Sequence, residues 1–267
     1  MGERNVNDEK TKDKKRYLVP ALEKGLTLLE YMAKTNQALR ITDIHEQLGI
    51  PKTTVFMLLS TLESMGYIEK VDENRYRATL KIYNLGMQVL EKNDVIGIAR
   101  PYMEDLAERF RYTVHLAILS NDSAVYIEKV NGPSFVQFNT KVGQAMPLHC
   151  SAVGKALVAY LPEEQLKEMF SRKPLVRYTE NTITNLEEFI SHLAHVREQG
   201  YAVEDEEGES GIRCIGCPIF NNKLEVAAAM SVTAVRADLP AVRFHEVGMA
   251  IKEACDKISA SLGAMLR

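Results

Sequence analysis

The sequence predicts an α+β protein in which a small helical domain with a β-hairpin precedes a larger domain built on an antiparallel sheet. Two short helical segments joined at "LGIPK" (48–52) are followed by a hairpin-like stretch at 67–79. Beyond position 112, segments rich in β-branched residues are separated by hairpin-length turns and bracketed by helical segments. This grouping indicates α+β, because a parallel sheet needs a long crossover after each strand.

The composition is that of an ordinary two-domain protein. The chain has 267 residues, 46% of them hydrophobic, and lacks Trp, so its cores must be largely aliphatic. A formal net charge of −3 argues against a protein that coats nucleic acid through positive charge spread over its surface. Any DNA contacts would therefore come from locally arranged residues. Four cysteines suit a reducing compartment. With no signal peptide and no apolar run near the ~18 residues that span a bilayer, we expect a cytoplasmic protein without a membrane partner.

Two helices are predicted ahead of the tight turn. In the second, Thr42 is the expected N-cap and Gly49 the C-terminal stop. The first covers 19–35, and its expected core face recurs at helical spacing. That face consists of Leu22, Leu26, Leu29 and Ala33.

The stretch "GIPKTTVFMLLSTLESMGYI" (49–68) predicts a helix with two different faces. On a helical wheel, Val55, Leu58, Leu59 and Leu62 cluster on one side as a core face. The opposite side carries Thr53, Met57, Ser60 and Ser64. Two short helices joined this way form a helix-turn-helix, whose second helix presents its first turns to the DNA major groove.

DNA contacts are predicted at the start of this helix. Lys52 can neutralise a phosphate, and the methyl groups of Thr53 and Thr54 can contact thymine. The alternative is a helical module that docks on another protein, and the hairpin that follows favours DNA.

The hairpin fits the wing of a winged helix. Arg75 and Arg77 are two apart on a strand, so both point to one side while Tyr76 packs inward. The residues predicted to contact DNA are Arg40, Thr42, Lys52, Thr53, Thr54, Phe56, Met57, Ser60, Arg75 and Arg77.

The larger domain is predicted to hold a sheet and a small-residue helix start. "TVHLAIL", "AVYIEKV" and "SFVQFNTKV" (134–142) indicate three strands of a meander. In "PLHCSAVGKA", Ser151 is a natural N-cap, and the N–H groups of the turn that follows could attract an anion. The alternative is that the serine only caps the helix and that the small residues after it only allow close helix–sheet packing. Ser231 and Thr233 share one strand face.

The chain resembles the IclR family of bacterial transcription regulators from about position 18 to the end. The matching segments include "IPKTTVFMLLSTLESMGYI", "MPLHCSAVGKALVAYLPEEQ" and "REQGYAVEDEEGESGIRCIGCPI". The resemblance implies an N-terminal winged helix-turn-helix, a linker helix and a GAF/profilin-like effector domain. It also implies dimers, in some members paired into tetramers, on palindromic operators. Family members commonly carry Arg after the aromatic residue of the recognition helix, whereas Met57 follows Phe56 here, which leaves the operator sequence open.

The resemblance also implies a division of the chain and a ligand site. The parts are a disordered arm (1–17), a winged helix-turn-helix domain (18–79), a linker helix (80–94) and an effector-binding domain (95–267). Positions that bind small keto acids in the family correspond to Ala152, Val153, Glu204, Cys214, Ser231 and Thr233. A small organic acid, with a sugar-derived keto acid as the leading example, is therefore the expected effector. The family's usual acid is Asp, and Glu204 is one methylene longer.

Two other functions are open from the residues. Cys214 and Cys217, with His149 and Cys150, could form a metal-sensing site, although residues i and i+3 of an extended strand point to opposite faces. An enzyme acting on a small acid would need a nucleophile paired with a base, which the sequence does not place. We predict no cofactor, no metal ligand and no catalytic residue.

Overall fold

The computed structural model describes residues 19–35, 37–91 and 95–265, and the predicted arm at 1–17 lies outside them. The chain divides into two compact units, residues 1–92 and 93–267. No helix in the described ranges is long and apolar enough to cross a membrane. The finer division at 80–94 stays a proposal.

The first unit is a helical domain with a small sheet. Its elements are α1 (Pro20–Lys34), β1 (Leu39–Arg40), α2 (Ile41–Leu48), α3 (Lys52–Ser64), β2 (Ile68–Lys70), β3 (Arg75–Ala78) and α4 (Lys81–Glu91). The strands pair antiparallel in the order β1-β3-β2. Gly49 ends α2 at φ +67, a left-handed conformation that glycine adopts without a Cβ clash. The predicted stop is confirmed.

The core face of α3 is as predicted, but that of α1 is not. Val55 and Leu59 are fully buried, and Leu58 and Leu62 pack partly against the same core. In α1 the buried residues are Leu28 and Met32. Leu22 and Leu26, predicted to face the core, are 60% and 52% exposed. Ala33 is also exposed, and only Leu29 is half-buried. Helical spacing identifies a stripe, but which of two apolar stripes faces the domain depends on its neighbours.

The start of α2 also differs from the prediction. Thr42 lies inside the helix, and Arg40 precedes it. The Asp43 carboxylate takes over the capping by accepting a hydrogen bond from the Arg40 backbone N–H at 3.0 Å. The Thr42 hydroxyl donates to Asp43 instead of capping the backbone.

The second unit is an antiparallel sheet between two helical layers. Its elements are α5 (Val95–Phe110), β4 (Thr113–Ser120), β5 (Ser123–Val130), β6 (Ala145–Met146), α6 (Ala152–Val158), α7 (Glu163–Arg172), α8 (Leu186–Gln199), β7 (Ala202–Asp205), β8 (Ile212–Phe220), β9 (Val226–Val235) and α9 (Phe244–Ser261). The strands pair antiparallel in the order β6-β5-β4-β9-β8-β7. α6 and α8 pack over one face, and α5 and α9 over the other. The α+β class is confirmed.

The prediction of a third meander strand at 134–142 is wrong. This segment is irregular, and the strand that pairs with β5 on the side away from β4 is the short β6. β5 ends at Val130, and the backbone that follows packs closely against the Tyr112 carbonyl, since a Cβ at Gly132 would come within 2.5 Å of it. The ammonium of Lys129 then donates to the carbonyls of Phe138 (2.5 Å) and Thr140 (3.0 Å). Side-chain bonds to the backbone replace the strand ladder.

Candidate nucleic-acid interface and effector cavity

The outer face of α3 is open to a partner. Thr53 and Ser60 are exposed, Phe56 is 55% and Met57 60% exposed, although both are large apolar side chains. Lys52 is exposed as the first residue of the helix, and Thr54 is half-buried. An exposed face of this kind, with small hydroxyls near the helix start, suits the DNA major groove.

The wing presents arginines on one side, as predicted. Tyr76 is buried, whereas Arg75 and Arg77 are exposed. Arg40 lies directly opposite Arg75 in the β1–β3 register, so its side chain belongs to the same face. The sheet thus groups a residue ahead of α2 with two from the hairpin.

Each of these arginines is paired with a carboxylate in the unbound protein. Arg75 Nε lies 2.7 Å from Asp72 Oδ2, and Arg77 Nε lies 2.6 Å from Glu69 Oε1. Arg40 pairs with Asp43 in the same way. These pairs are exposed and therefore weak, so a phosphate could replace the carboxylate at little cost. The sequence gives no direct sign of this pairing.

The second unit contains a cavity of about 270 Å³ between the sheet and the start of α6. It is lined by all six residues predicted to bind an effector, namely Ala152, Val153, Glu204, Cys214, Ser231 and Thr233. Ser151 is the N-cap of α6, as predicted, since its Oγ accepts from the Gly154 N–H.

Strand register brings these side chains together. Glu204, Cys214 and Thr233 are successive cross-strand partners in β7, β8 and β9. The Cys214 sulfur lies 3.4 Å from the Thr233 hydroxyl. In the neighbouring row Ser231 lies opposite Gly216, where a Cβ would come within 2.7 Å of the Ala152 backbone. The glycine therefore lets α6 approach the sheet and close the cavity.

The Glu204 carboxylate is buried and fixed. Its Oε1 accepts hydrogen bonds from the backbone N–H groups of Glu207 (2.5 Å) and Gly208 (3.0 Å). Burial raises the pKa of Glu204 to about 7, even though these bonds oppose the shift. The side chain can therefore be neutral or ionised near neutrality, and both forms can hydrogen-bond a ligand.

A buried ion pair supports this region. Lys155, which is fully buried in α6, places its ammonium 2.5 Å from Glu207 Oε1 and 3.0 Å from the Val203 carbonyl. Burial raises the pKa of Glu207, and the adjacent ammonium opposes the shift. The pair ties α6 to the turn after β7, whose N–H groups hold Glu204. Lys155 therefore stabilises the cavity without lining it, a role for which the sequence carries no local signal.

The cavity wall also contains residues that were not predicted from the sequence, among them His115, Tyr126 and Thr140. His115 approaches two hydroxyls, with Nε2 2.7 Å from Thr140 Oγ1 and Nδ1 3.3 Å from Thr233 Oγ1. Its ring stacks on Tyr126 at 4.3 Å. Burial lowers the pKa of His115 to about 3, so the ring is neutral. His115 is the cross-strand partner of Ser231 and lies on the same face of the sheet, a register that no local sequence pattern indicates.

The two cysteines of the C-x-x-C segment do not form one site. Cys214 lines the cavity, whereas Cys217 Sγ donates to the Gly200 carbonyl on the side of α9, where Cys255 lies. Among residues 19–35, 37–91 and 95–265, no three His, Cys, Asp or Glu side chains are grouped closely enough to hold a metal ion. A metal sensor built on this cysteine pair therefore has no geometric basis.

Glu204 is expected to make stability depend on pH. Because its pKa rises from 4.5 to about 7 on folding, the folded chain retains a proton in this window that the unfolded chain releases. Relative to a Glu204→Gln variant, the free energy of unfolding should fall by on the order of 3 kcal/mol as the pH rises from about 4.5 to about 7. Denaturant titrations of both proteins across this range measure the difference, and parallel pH profiles would contradict it.

Comparison with known proteins gives one family over both units. A family model described as "Bacterial transcriptional regulator IclR C-terminal" matches residues 87–260, and one described as "IclR helix-turn-helix domain" matches residues 21–72. The similar proteins include the transcriptional regulator XynR of Escherichia coli, which is 32% identical over 92% of this chain and 98% of its own. The transcriptional repressor IclR of Escherichia coli is 30% identical over 92% of this chain and 91% of its own.

A solved structure extends this likeness to the fold. The IclR protein of Thermotoga maritima superposes with a TM-score of 0.75 at 30% identity, covering 91% of this chain and 99% of that one. The relatives from Escherichia coli regulate transcription, which favours regulation over the alternative of an enzyme acting on a small acid. The exposed recognition helix, the cavity and these matches together show that the chain belongs to the IclR family of bacterial transcriptional regulators.

Proposed function

We propose that the protein is a cytoplasmic repressor that binds a palindromic DNA operator as a homodimer, or as paired dimers, and releases it when a small organic acid binds. The observation that carries the proposal is the convergence of six predicted residues, distant in sequence, on one cavity. The resemblance of the chain to a named repressor supports the direction of control.

The proposed operator contact uses α3 and the wing. Lys52, Thr53 and Ser60 would approach the major groove and its phosphates. Arg75 and Arg77 would leave their carboxylate partners and bind phosphates of the neighbouring DNA backbone. The thioether of Met57 cannot donate a hydrogen bond to guanine, so apolar contact with a thymine methyl is the fitting role for it.

The proposed ligand contact uses main chain and side chains in turn. The backbone N–H groups of Ala152 and Val153 would receive the carboxylate of the acid. The hydroxyls of Ser231 and Thr233, together with Glu204, would bind its keto or hydroxyl groups. A sugar-derived keto acid is the leading candidate, because it carries all three kinds of group.

An exposed apolar stripe supports dimer formation. Leu22 and Leu26, one helical turn apart on α1, are both more than half exposed. Exposed apolar side chains that neighbour each other in this way are costly in water and favour association with a second copy. Effector binding would then shift the equilibrium between two arrangements of the helix-turn-helix domains in the dimer. The size of the shift is set by the difference between the effector's affinities for the two arrangements.

A mobility-shift assay on the protein's own promoter region, with and without candidate acids, tests the proposal. Specific binding that a keto acid weakens is expected, and no specific shift at moderate salt would refute it. Ser231→Leu should bind the same DNA but lose the response to acid, because a leucine at this buried position fills the cavity.

Ser231→Ala is the matched control, since it removes the hydroxyl without adding volume. This variant should still respond to the acid, but its affinity for the acid should be lower by on the order of tenfold, the effect of one lost hydrogen bond to a charged or polar ligand group. A Ser231→Leu protein that responds like the wild type would place the ligand elsewhere.

A further inference from the structure

A second cavity of the larger unit lies beside the edge strand β6. It has a volume of about 330 Å³ and is bounded by β6, the end of α7 and the irregular segment 174–178. Met146, Pro147 and Tyr178 line both this space and the effector cavity, so they form the border between the two. The six residues predicted to bind an effector all lie outside this second space, which we call the β6 cavity.

The walls of the β6 cavity are mainly apolar and aromatic. The ring centroids of Phe170 and Tyr178 lie 6.4 Å and 6.1 Å from that of His149. These three rings border the space together with the aliphatic side chains of Leu148 and Val176. Walls of this kind suit a flat aromatic guest, because aromatic rings gain from edge and offset contacts with one another.

His149 gives the β6 cavity a hydrogen-bond acceptor. The residue is 3% exposed, and its Nε2 lies 2.9 Å from the Val176 carbonyl. Burial lowers the pKa of His149, so the ring is neutral and carries its one proton on Nε2, which donates to that carbonyl. The other nitrogen, Nδ1, has no hydrogen-bond partner among the described residues and is not sealed from solvent. Because His149 lines the β6 cavity, Nδ1 is available to a donor inside it.

The charged residues of the β6 cavity are already satisfied by protein groups. Arg172 Nε lies 2.8 Å from Asp122 Oδ2. The Lys173 ammonium donates to the Ser123 hydroxyl at 2.6 Å and to the Asn121 carbonyl at 2.9 Å. Both cations are also exposed to water. A guest therefore needs no charge of its own to enter this space.

We propose that the β6 cavity binds a small neutral phenol, whose ring packs against His149, Phe170 and Tyr178 and whose hydroxyl donates to His149 Nδ1. The site is separate from the effector cavity and does not depend on the proposed function. A phenol is favoured over an aliphatic alcohol by the ring contacts. It is favoured over a hydrocarbon because a hydrocarbon would cover the Nδ1 acceptor and leave it unpaired.

Probes of similar size test the need for a hydroxyl on the unchanged protein. Para-fluorophenol, para-fluorotoluene and para-fluoroanisole share a ring, and the first alone carries a hydrogen-bond donor. Fluorine NMR titration of the full chain should show para-fluorophenol binding at least about fivefold more tightly than either of the others, the effect of one hydrogen bond to a buried acceptor. Cyclohexanol keeps a hydroxyl without an aromatic ring and should displace para-fluorophenol less effectively than phenol does.

Two filled variants locate the binding. Ala145→Phe adds bulk to the wall of the β6 cavity from an exposed position and should weaken para-fluorophenol binding by at least about tenfold. Ser231→Leu fills the effector cavity instead and should leave this affinity within about twofold. Val142→Phe is the matched control, because it adds a ring at an exposed position outside the β6 cavity and should have no effect.

A third variant tests the acceptor. His149→Phe keeps a ring against Phe170 and Tyr178 but removes Nδ1, so para-fluorophenol and para-fluorotoluene should bind it within about twofold of each other. If this variant does not fold, as judged by circular dichroism, the comparison of probes on the wild type still decides the question.

The inference is overturned if the wild type does not bind para-fluorophenol, if the three fluorinated probes bind equally, or if Ala145→Phe binds as tightly as the wild type. Loss of binding in Ser231→Leu with retention in Ala145→Phe would place the phenol in the effector cavity and would also overturn it. None of these measurements uses DNA, so their outcome is independent of whether the protein binds an operator.

Discussion

Replacing Thr53 with Asp is expected to weaken operator binding by more than about 100-fold, equivalent to roughly 3 kcal/mol. Thr53 is exposed in the first turn of α3, on the face proposed to meet DNA. A carboxylate there would lie close to phosphates, where like charges near a protein surface repel by several kcal/mol. The substitution should not unfold the domain, because an acidic residue at a helix N-terminus interacts favourably with the helix dipole.

Thr53→Asn is the matched control, since asparagine has the shape of aspartate without its charge. It should retain operator binding within about tenfold, the range of one lost polar contact. Mobility shift at several salt concentrations measures both variants, and calorimetry with an effector measures the cavity independently. If the Asp and Asn variants lost operator affinity equally, the role of this face would not be electrostatic. If Thr53→Asp also lost ligand binding, DNA binding and effector binding would not be separate functions.

Replacing Lys155 with Met is expected to lower the free energy of unfolding by about 3–5 kcal/mol above neutral pH. Lys155 is fully buried and pairs with Glu207, whose other oxygen, Oε2, is buried without a partner among the described residues. Removing the ammonium leaves the Glu207 carboxylate buried and uncompensated. The turn that holds Glu204 should loosen as well, so ligand affinity should fall together with stability.

Two controls separate the buried charge from lost packing. The double variant Lys155→Met with Glu207→Gln leaves no unpaired charge and should recover most of the stability. Lys167→Met breaks the exposed pair with Glu163 and should cost less than about 1 kcal/mol. Denaturant unfolding compares all three. A double variant as unstable as the single one would show that the lysine acts through packing alone.

The recognition helix could be predicted because its evidence is local. The spacing of Val55 and Leu59 at a helical period specifies which side packs inward, and both are fully buried. Alternation in the wing likewise predicts that Tyr76 is buried between two exposed arginines. The ion pairs of those arginines could not be predicted, because they depend on where a strand and a turn bring Glu69 and Asp72.

Two of the wrong predictions, the core face of α1 and the strand at 134–142, have the same origin. α1 carries two apolar stripes, and packing against the rest of its unit selects Leu28 and Met32 over Leu22 and Leu26. The segment 134–142 has the composition of a strand, but bonds from Lys129 hold it off the sheet. In both cases long-range contacts override local preference.

The spacing of residues is enough to predict the helix-turn-helix, the wing and the antiparallel character of the larger sheet, and the residue type of Ser151 predicts the N-cap. The row of Glu204, Cys214 and Thr233 beside His115 and the compensation of Glu207 by Lys155 emerge only in the folded protein. Periodicity is a property of neighbouring residues, whereas a cavity and the pKa of a buried carboxylate depend on strand register and on solvent exclusion. Those arise only when distant segments pack together.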